Sequence, residues 1–145
     1  YRRQRQMCIR DRDIIMKKII TAVCLTVLVL TSCQQAKQKV FEIASQEVNK
    51  QCPMTIDEMT RMDSTSYTGG DNTFTYYYTL TGAADDPNIA ETTQKHLEEN
   101  LPGIIKNTDD LKMYRDMDVT MAYVYLSDKT QQELFRVKVT PDMYK

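Results

Sequence analysis

Cys52 and His96 are the two side chains whose types fit nucleophilic catalysis. A cysteine thiol attacks a substrate carbon when a histidine within hydrogen-bond reach removes its proton. His96 is the single histidine of the chain, and nothing in the sequence brings it near Cys52. A thiol-dependent enzyme that uses Cys52 and His96 therefore stands last among the hypotheses for function.

Carboxylates are the other candidates for chemistry. His96 and Glu99 could bind a metal ion from one helix face, but a zinc site needs three or four ligands and there is no second histidine. Asp57, Glu58 and Asp63 lie close together in the sequence. Two of them could work as an acid–base pair if their pKa values differed. Such carboxylates are far more often solvated turn and strand positions. The chain also lacks a glycine-rich phosphate loop, a GxSxG motif and a CxxC motif, so we predict no enzyme, no metal and no cofactor.

A short targeting segment precedes these residues. Lys17 and Lys18 are followed by the uncharged apolar stretch 19–30, which has the length of a signal peptide and is too short for a membrane-spanning helix. The next residues, Leu30-Thr31-Ser32-Cys33, resemble the lipobox of bacterial lipoproteins. The resemblance implies that residues 16–32 are a signal peptide and that Cys33 is acylated and anchors the protein to a membrane. A plain secretory signal, or a short membrane helix with an incidental cysteine, is the alternative.

The residues on either side of this signal bear on where the protein is located in the cell. Residues 1–15 precede a complete signal and resemble translated adapter sequence, so we interpret them as a non-native leader; a basic arm is the alternative. Gln34 follows Cys33 where inner-membrane lipoproteins carry aspartate, which favours the outer membrane. No acidic cluster of the kind found in surface-exported lipoproteins follows, which favours the periplasmic face.

Removal of the signal changes the charge and the cysteine count. Residues 1–32 hold seven of the 19 basic and two of the 20 acidic side chains, so the chain from Cys33 onwards has a net charge of −6. Nucleic acid is therefore not an expected partner, because binding it requires a basic surface. Cys52 becomes the only thiol that is not acylated, and we expect it to be free.

The remaining chain predicts a tether, 33–39, and one α+β domain, 40–145. Apolar residues at helical spacing predict a helix over 40–50. Two β-hairpins are expected, the first turning at 68–72 and the second at 127–130. Asp86 and Pro87 predict the start of a second helix, which Pro102 and Gly103 should kink or end near Asn100. The predicted order is helix-β-β-helix-β-β, with a four-stranded antiparallel sheet and helices on one face.

Tyrosines suggest a possible binding surface. Tyr77 lies on the threonine-rich face of its strand, whereas Tyr123 and Tyr125 share a face of a later strand. If the three line an exposed sheet they could bind a partner, since tyrosine offers a large rigid contact area. The alternative is that one set packs under the helices and Tyr77 is an isolated ring.

Two further phrases resemble small uncharacterised Bacteroides-type envelope lipoproteins. They are Cys52-Pro53-Met54-Thr55-Ile56-Asp57 and, near the end, Val137-Lys138-Val139-Thr140-Pro141-Asp142. The resemblance implies no activity.

We expect a periplasmic module, anchored in the outer membrane, that binds an envelope protein or polymer. An inhibitor that blocks an envelope hydrolase with the loop Gly69-Gly70-Asp71 is the alternative.

Overall fold

The computed structural model describes residues 35–145, and residues Gln38–Lys145 form one compact unit. The first helix, α1, covers 35–49 and so begins within the predicted tether. Cys33 and the signal peptide lie outside the described residues. The other elements are β1 (Met54–Asp57), β2 (Thr60–Thr68), β3 (Thr73–Leu80), α2 (Pro87–Asn107), α3 (Lys112–Asp116), β4 (Thr120–Ser127), β5 (Glu133–Val139) and α4 (Pro141–Tyr144).

The strands form one sheet in the order β1-β2-β3-β4-β5. The α+β class is confirmed, but the prediction of four antiparallel strands is wrong. β3 and β4 are parallel neighbours, joined through α2, and all other pairs are antiparallel. The strand missed in the sequence is β1, which has four residues and no clear apolar alternation. Both predicted hairpins are present, as β2–β3 and β4–β5.

The apolar side chains of the central strands point to the face on which the helices pack. Phe74 of β3 contacts the rings of Phe41 of α1 and Tyr114 of α3, with centroids 6.4 and 5.2 Å apart. Leu101 and Ile105 of α2 are buried in the same core. Alternation along β3 and β5 therefore places residues such as Phe74, Phe135 and Val137 under the helices.

α1 covers the part of β2 that β1 is too short to pair. The side chain of Asn49 accepts a hydrogen bond from the backbone N–H of Thr65 at 2.6 Å and donates one to its carbonyl at 2.9 Å. The Ser45 hydroxyl donates to the same carbonyl at 2.9 Å. An amide side chain thus takes the place of a neighbouring strand and satisfies an otherwise open sheet edge.

α2 begins as predicted and ends later than predicted. The Asp86 carboxylate accepts hydrogen bonds from the backbone N–H groups of Asn88 and Ile89, at 2.9 and 3.4 Å. The helix then continues through Pro102 to Asn107, so the prediction that it is interrupted near Asn100 is wrong about its end. Proline costs one helical hydrogen bond, and the buried Leu101 and Ile105 on either side outweigh that local cost.

Asn72 joins the β2–β3 turn to the segment that leads into β4. Its backbone φ is +51°, a left-handed conformation that asparagine tolerates better than most residues. Its amide nitrogen donates to the carbonyls of Met117 and Asp118, at 3.0 and 2.8 Å, and its amide oxygen accepts from the Tyr67 hydroxyl at 2.8 Å. The backbone carbonyl of Asn72 accepts from the N–H of Thr120 at 3.0 Å. These bonds hold the start of β4 beside the start of β3.

Candidate functional site

A groove of about 600 Å³ opens between the β1–β2 turn and α2. One wall is the turn itself, residues 56–60, and the other is formed by Thr93 and Leu97 of α2 with Ala84. The floor consists of Tyr78 and Leu80 of β3 and Tyr125 of β4. The volume falls within the range typical of ligand pockets, and most of the lining is apolar.

The β1–β2 turn is fixed in place by two hydrogen bonds around Met59. The Asp57 carboxylate accepts from the Met59 backbone N–H at 2.8 Å, which closes the turn. The Met59 carbonyl accepts from the N–H of Thr81, just past β3, at 2.9 Å. The side chains of Ile56 and Met59 remain 50% and 43% exposed at the groove. This wall therefore presents apolar side chains from a hydrogen-bonded turn.

The floor is a layer of stacked aromatic rings that follows the strand register. Tyr78 stacks on Tyr125 with centroids 5.1 Å apart, and Tyr125 stacks on Phe135 at 4.5 Å. Tyr76 and Tyr123 form a second stack at 5.3 Å. The parallel β3–β4 register places Tyr76 opposite Tyr123 and Tyr78 opposite Tyr125.

The phenols of the floor stay neutral at physiological pH. Burial, with a smaller effect of nearby Cys52, raises the pKa of Tyr78 to about 12. Burial also raises the pKa of Tyr125, as do the neighbouring Tyr78 and the Asp57 carboxylate. The floor of the groove is therefore apolar and uncharged, whereas the carboxylates of Asp57 and Glu58 lie on its β1–β2 wall.

The structure divides the three tyrosines proposed as a binding surface. Tyr123 and Tyr125 lie in the core under the helices. Tyr77 lies on the opposite face of the sheet, where its hydroxyl accepts a 3.3 Å hydrogen bond from Ser66. Of the three, Tyr125 lines the groove.

Cys52 and His96 have different surroundings. Cys52 is a half-buried free thiol that precedes a cis peptide bond to Pro53. His96 lies on the exposed side of α2 and contacts Asn100 of the same helix. Within residues 35–145 no hydrogen bond joins Cys52 to His96.

Two of the three clustered carboxylates, Asp57 and Asp63, have structural partners. Asp57 closes the β1–β2 turn, and Asp63 accepts hydrogen bonds from Arg61 at 2.6 Å and Thr79 at 2.5 Å. No group of three or more potential ligands for a metal ion occurs in the described part of the chain. The loop proposed for hydrolase inhibition lies at the β2–β3 turn, where Gly69 packs so closely on Gln38 that a Cβ would lie 2.5 Å from its side chain.

Sequence reasoning missed the groove residues Ile56, Met59 and Leu97. The available signal was weak: Ile56 and Met59 are apolar residues on either side of two acids in a short turn. Nothing local to the turn or to α2 indicates that the two face each other across β3.

No helix among residues 35–145 combines the length and the apolar character needed to cross a bilayer.

Three solved structures share this fold. A protein of Pseudomonas aeruginosa that is described as secreted matches with a TM-score of 0.64 and 13% identity, over 77% of this chain and 96% of its own. The pilotin EpsS of the Vibrio vulnificus type 2 secretion system matches with a TM-score of 0.59 and 11% identity, over 77% and 94% of the two chains. The type II secretion pilotin AspS of Vibrio cholerae matches with a TM-score of 0.56 and 10% identity, over 79% and 97%. At these identities the likeness shows the fold alone.

No curated protein matches the chain in sequence. A family model described as a domain of unknown function, DUF8479, matches residues 35–135, which include α1, the groove and most of the sheet. The chain therefore belongs to the DUF8479 family.

Proposed function

We propose that the protein is a lipid-anchored protein of the bacterial outer membrane that faces the periplasm and binds an apolar segment of another envelope protein, without catalysis. The observation that carries this proposal is the groove. Its volume, aromatic floor and apolar wall fit side chains of a protein segment.

The anchor rests on the sequence around Cys33. A lipobox cysteine carries more than one acyl chain, and more than one chain is what stable anchoring requires. Replacement of Cys33 by alanine should abolish the incorporation of labelled palmitate into the protein. Parent protein that is found in the soluble fraction would overturn this part of the proposal.

The chemistry of the groove indicates which segment would bind. Neutral phenols and the side chains of Ile56, Met59 and Leu97 favour apolar groups on the partner. Asp57 and Glu58 favour a basic residue beside those groups, and the net charge of −6 from Cys33 onwards acts in the same direction. The pilotins of two type 2 secretion systems have the same fold, which supports a role in binding an envelope protein.

Site-specific photocrosslinking in living cells tests the proposal. A photoreactive amino acid at position 59 reports on the groove, and the same amino acid at position 113 is the matched control. Both positions hold methionine, with exposures of 43% and 39%, and Met113 does not line the groove. We expect one envelope protein, identified by mass spectrometry, to be crosslinked from position 59 and not from position 113.

Two results would contradict the proposal. One is the absence of any adduct from position 59, and the other is the same adducts, in equal yield, from both positions.

A further inference from the structure

Two apolar side chains are exposed on the N-terminal half of α1. Val40 is 40% exposed and Ile43 is 50% exposed. Residues three apart on a helix lie on the same side of it, so Val40 and Ile43 form one small apolar patch. We call it the α1 patch.

The α1 patch is presented by a helix that cannot move away from the domain. Phe41, between the two exposed residues in sequence, is fully buried and contacts the rings of Tyr67 and Tyr114 at 5.2 and 5.1 Å. Further along α1, Ser45 and Asn49 bind the backbone of β2. Whatever contacts the patch is therefore held at a fixed orientation to the sheet.

The charges on α1 around the patch are largely compensated. Glu47 forms a 2.6 Å ion pair with Lys50, and the charge of Glu42 is balanced by that of Lys39 on the same helix. Lys39 is next to Val40 in sequence and is exposed. The α1 patch thus does not share the negative net charge of the domain. A strong negative charge at the patch would repel anionic lipid.

Chain length limits how far the patch can lie from the anchor. Val40 is seven residues after Cys33, and a fully extended chain spans at most about 3.5 Å per residue, or about 25 Å in total. The helical geometry from residue 35 onwards shortens this to well below the limit. An acylated Cys33 lies at the level of the lipid headgroups, so α1 must start beside the membrane.

We propose that Val40 and Ile43 contact the headgroup region of the membrane that holds Cys33, and so fix the orientation of the domain on the lipid surface. This inference rests on the lipid anchor of the proposed function. The occupant of the α1 patch is the bilayer, because the anchor keeps the bilayer within reach of it at all times.

Fluorescence quenching on the lipidated protein tests the orientation. The full chain is expressed with its signal, purified in its acylated form and reconstituted in vesicles of phosphatidylethanolamine and phosphatidylglycerol that carry a nitroxide on the headgroup. In a Cys52→Ser background, Ile43→Cys is labelled with a small fluorophore, and Ile104→Cys is the matched control. Ile104 is also an exposed isoleucine on a helix, at 52%, and Val40→Cys serves as a second reporter of the patch.

The expected result is quenching that is several-fold stronger at positions 43 and 40 than at position 104. Equal quenching at all three positions, in protein that floats with the vesicles, would overturn the orientation while leaving the anchor intact. Protein that does not float with the vesicles would instead overturn the anchor, and the orientation with it.

Discussion

Replacement of Asn72 tests how the parallel pair β3–β4 is held together. The Asn72→Ala substitution removes three side-chain hydrogen bonds, to Tyr67, Met117 and Asp118. A hydrogen bond of this kind contributes about 1 kcal/mol net. Asn72 is partly exposed, so water replaces part of this loss. Alanine must also adopt the φ of +51°, which costs about 1 kcal/mol. We expect the free energy of unfolding to fall by about 2–3 kcal/mol.

Asn72→Gly separates the two contributions. Glycine loses the same side-chain bonds but adopts a positive φ at little cost. We therefore expect Asn72→Gly to be more stable than Asn72→Ala by about 1 kcal/mol. Asp71→Ala changes the neighbouring exposed residue and should alter stability little.

Urea denaturation of residues 35–145, followed by circular dichroism, measures these differences. Hydrogen exchange at the backbone N–H of Thr120 gives a local readout, because that group donates to the Asn72 carbonyl. We expect faster exchange there in Asn72→Ala. A loss of stability below about 0.5 kcal/mol would refute the reasoning, since even one net hydrogen bond exceeds it. Identical stabilities of the alanine and glycine variants would refute the backbone contribution.

Three other outcomes follow from the contacts of the domain. Asn49→Ala should lower the free energy of unfolding by about 2 kcal/mol, because the backbone of Thr65 at the β2 edge loses two hydrogen bonds. Urea denaturation measures this loss, and an unchanged denaturation midpoint would contradict the prediction. The pKa of Asp85 is lowered by a hydrogen bond from the Ser127 hydroxyl, and further by the backbone N–H and the charge of Lys129. The stability that ionised Asp85 contributes is therefore present above its ordinary pKa near 4 and is lost as the pH falls through the lowered pKa. Denaturation midpoints between pH 5 and pH 2.5 should therefore fall less steeply in Asp85→Asn than in the parent protein, and parallel curves would contradict this. Burial raises the pKa of Tyr78 to about 12, so the alkaline absorbance change that the parent protein shows and Tyr78→Phe lacks should appear well above the pH near 10 at which tyrosines ionise in urea. Stability should be lost as the pH rises above 10, and coincident folded and unfolded titrations of this difference would contradict the prediction.

The sequence predicted the elements that local residues determine. Asp86 and Pro87 mark a helix start by themselves, because the cap bonds span only three residues. The two hairpins follow from alternating strands on either side of a turn.

The parallel pair was not predictable in the same way. The paired residues of β3 and β4 are far apart in the chain, and the contacts of Asn72 with Met117 and Asp118 bridge the same separation. The end of α2 was misjudged because local helix geometry says nothing of the buried neighbours, Leu101 and Ile105, beside Pro102. β1 is too short for its pattern to show.

The candidate site could be predicted from the sequence less well than the fold. The groove combines a turn at 56–60, a helix face at 93–97 and a strand floor at 78–80, which only tertiary packing brings together. Of the residues singled out in the sequence, Asp57, Glu58 and Tyr125 line it. The anchor at Cys33 remains a prediction from the lipobox alone.

The affinity of the crosslinked envelope protein for groove variants tests the central claim most directly. Calorimetry with the purified partner would compare the parent protein with Met59→Asp and with Met113→Asp, which introduces the same charge outside the groove. We predict that Met59→Asp weakens binding at least about tenfold, or 1.4 kcal/mol, because a carboxylate would be desolvated against the apolar partner. Met113→Asp should leave the affinity unchanged. Equal affinities of the parent protein and Met59→Asp would contradict the assignment of the groove as the binding site.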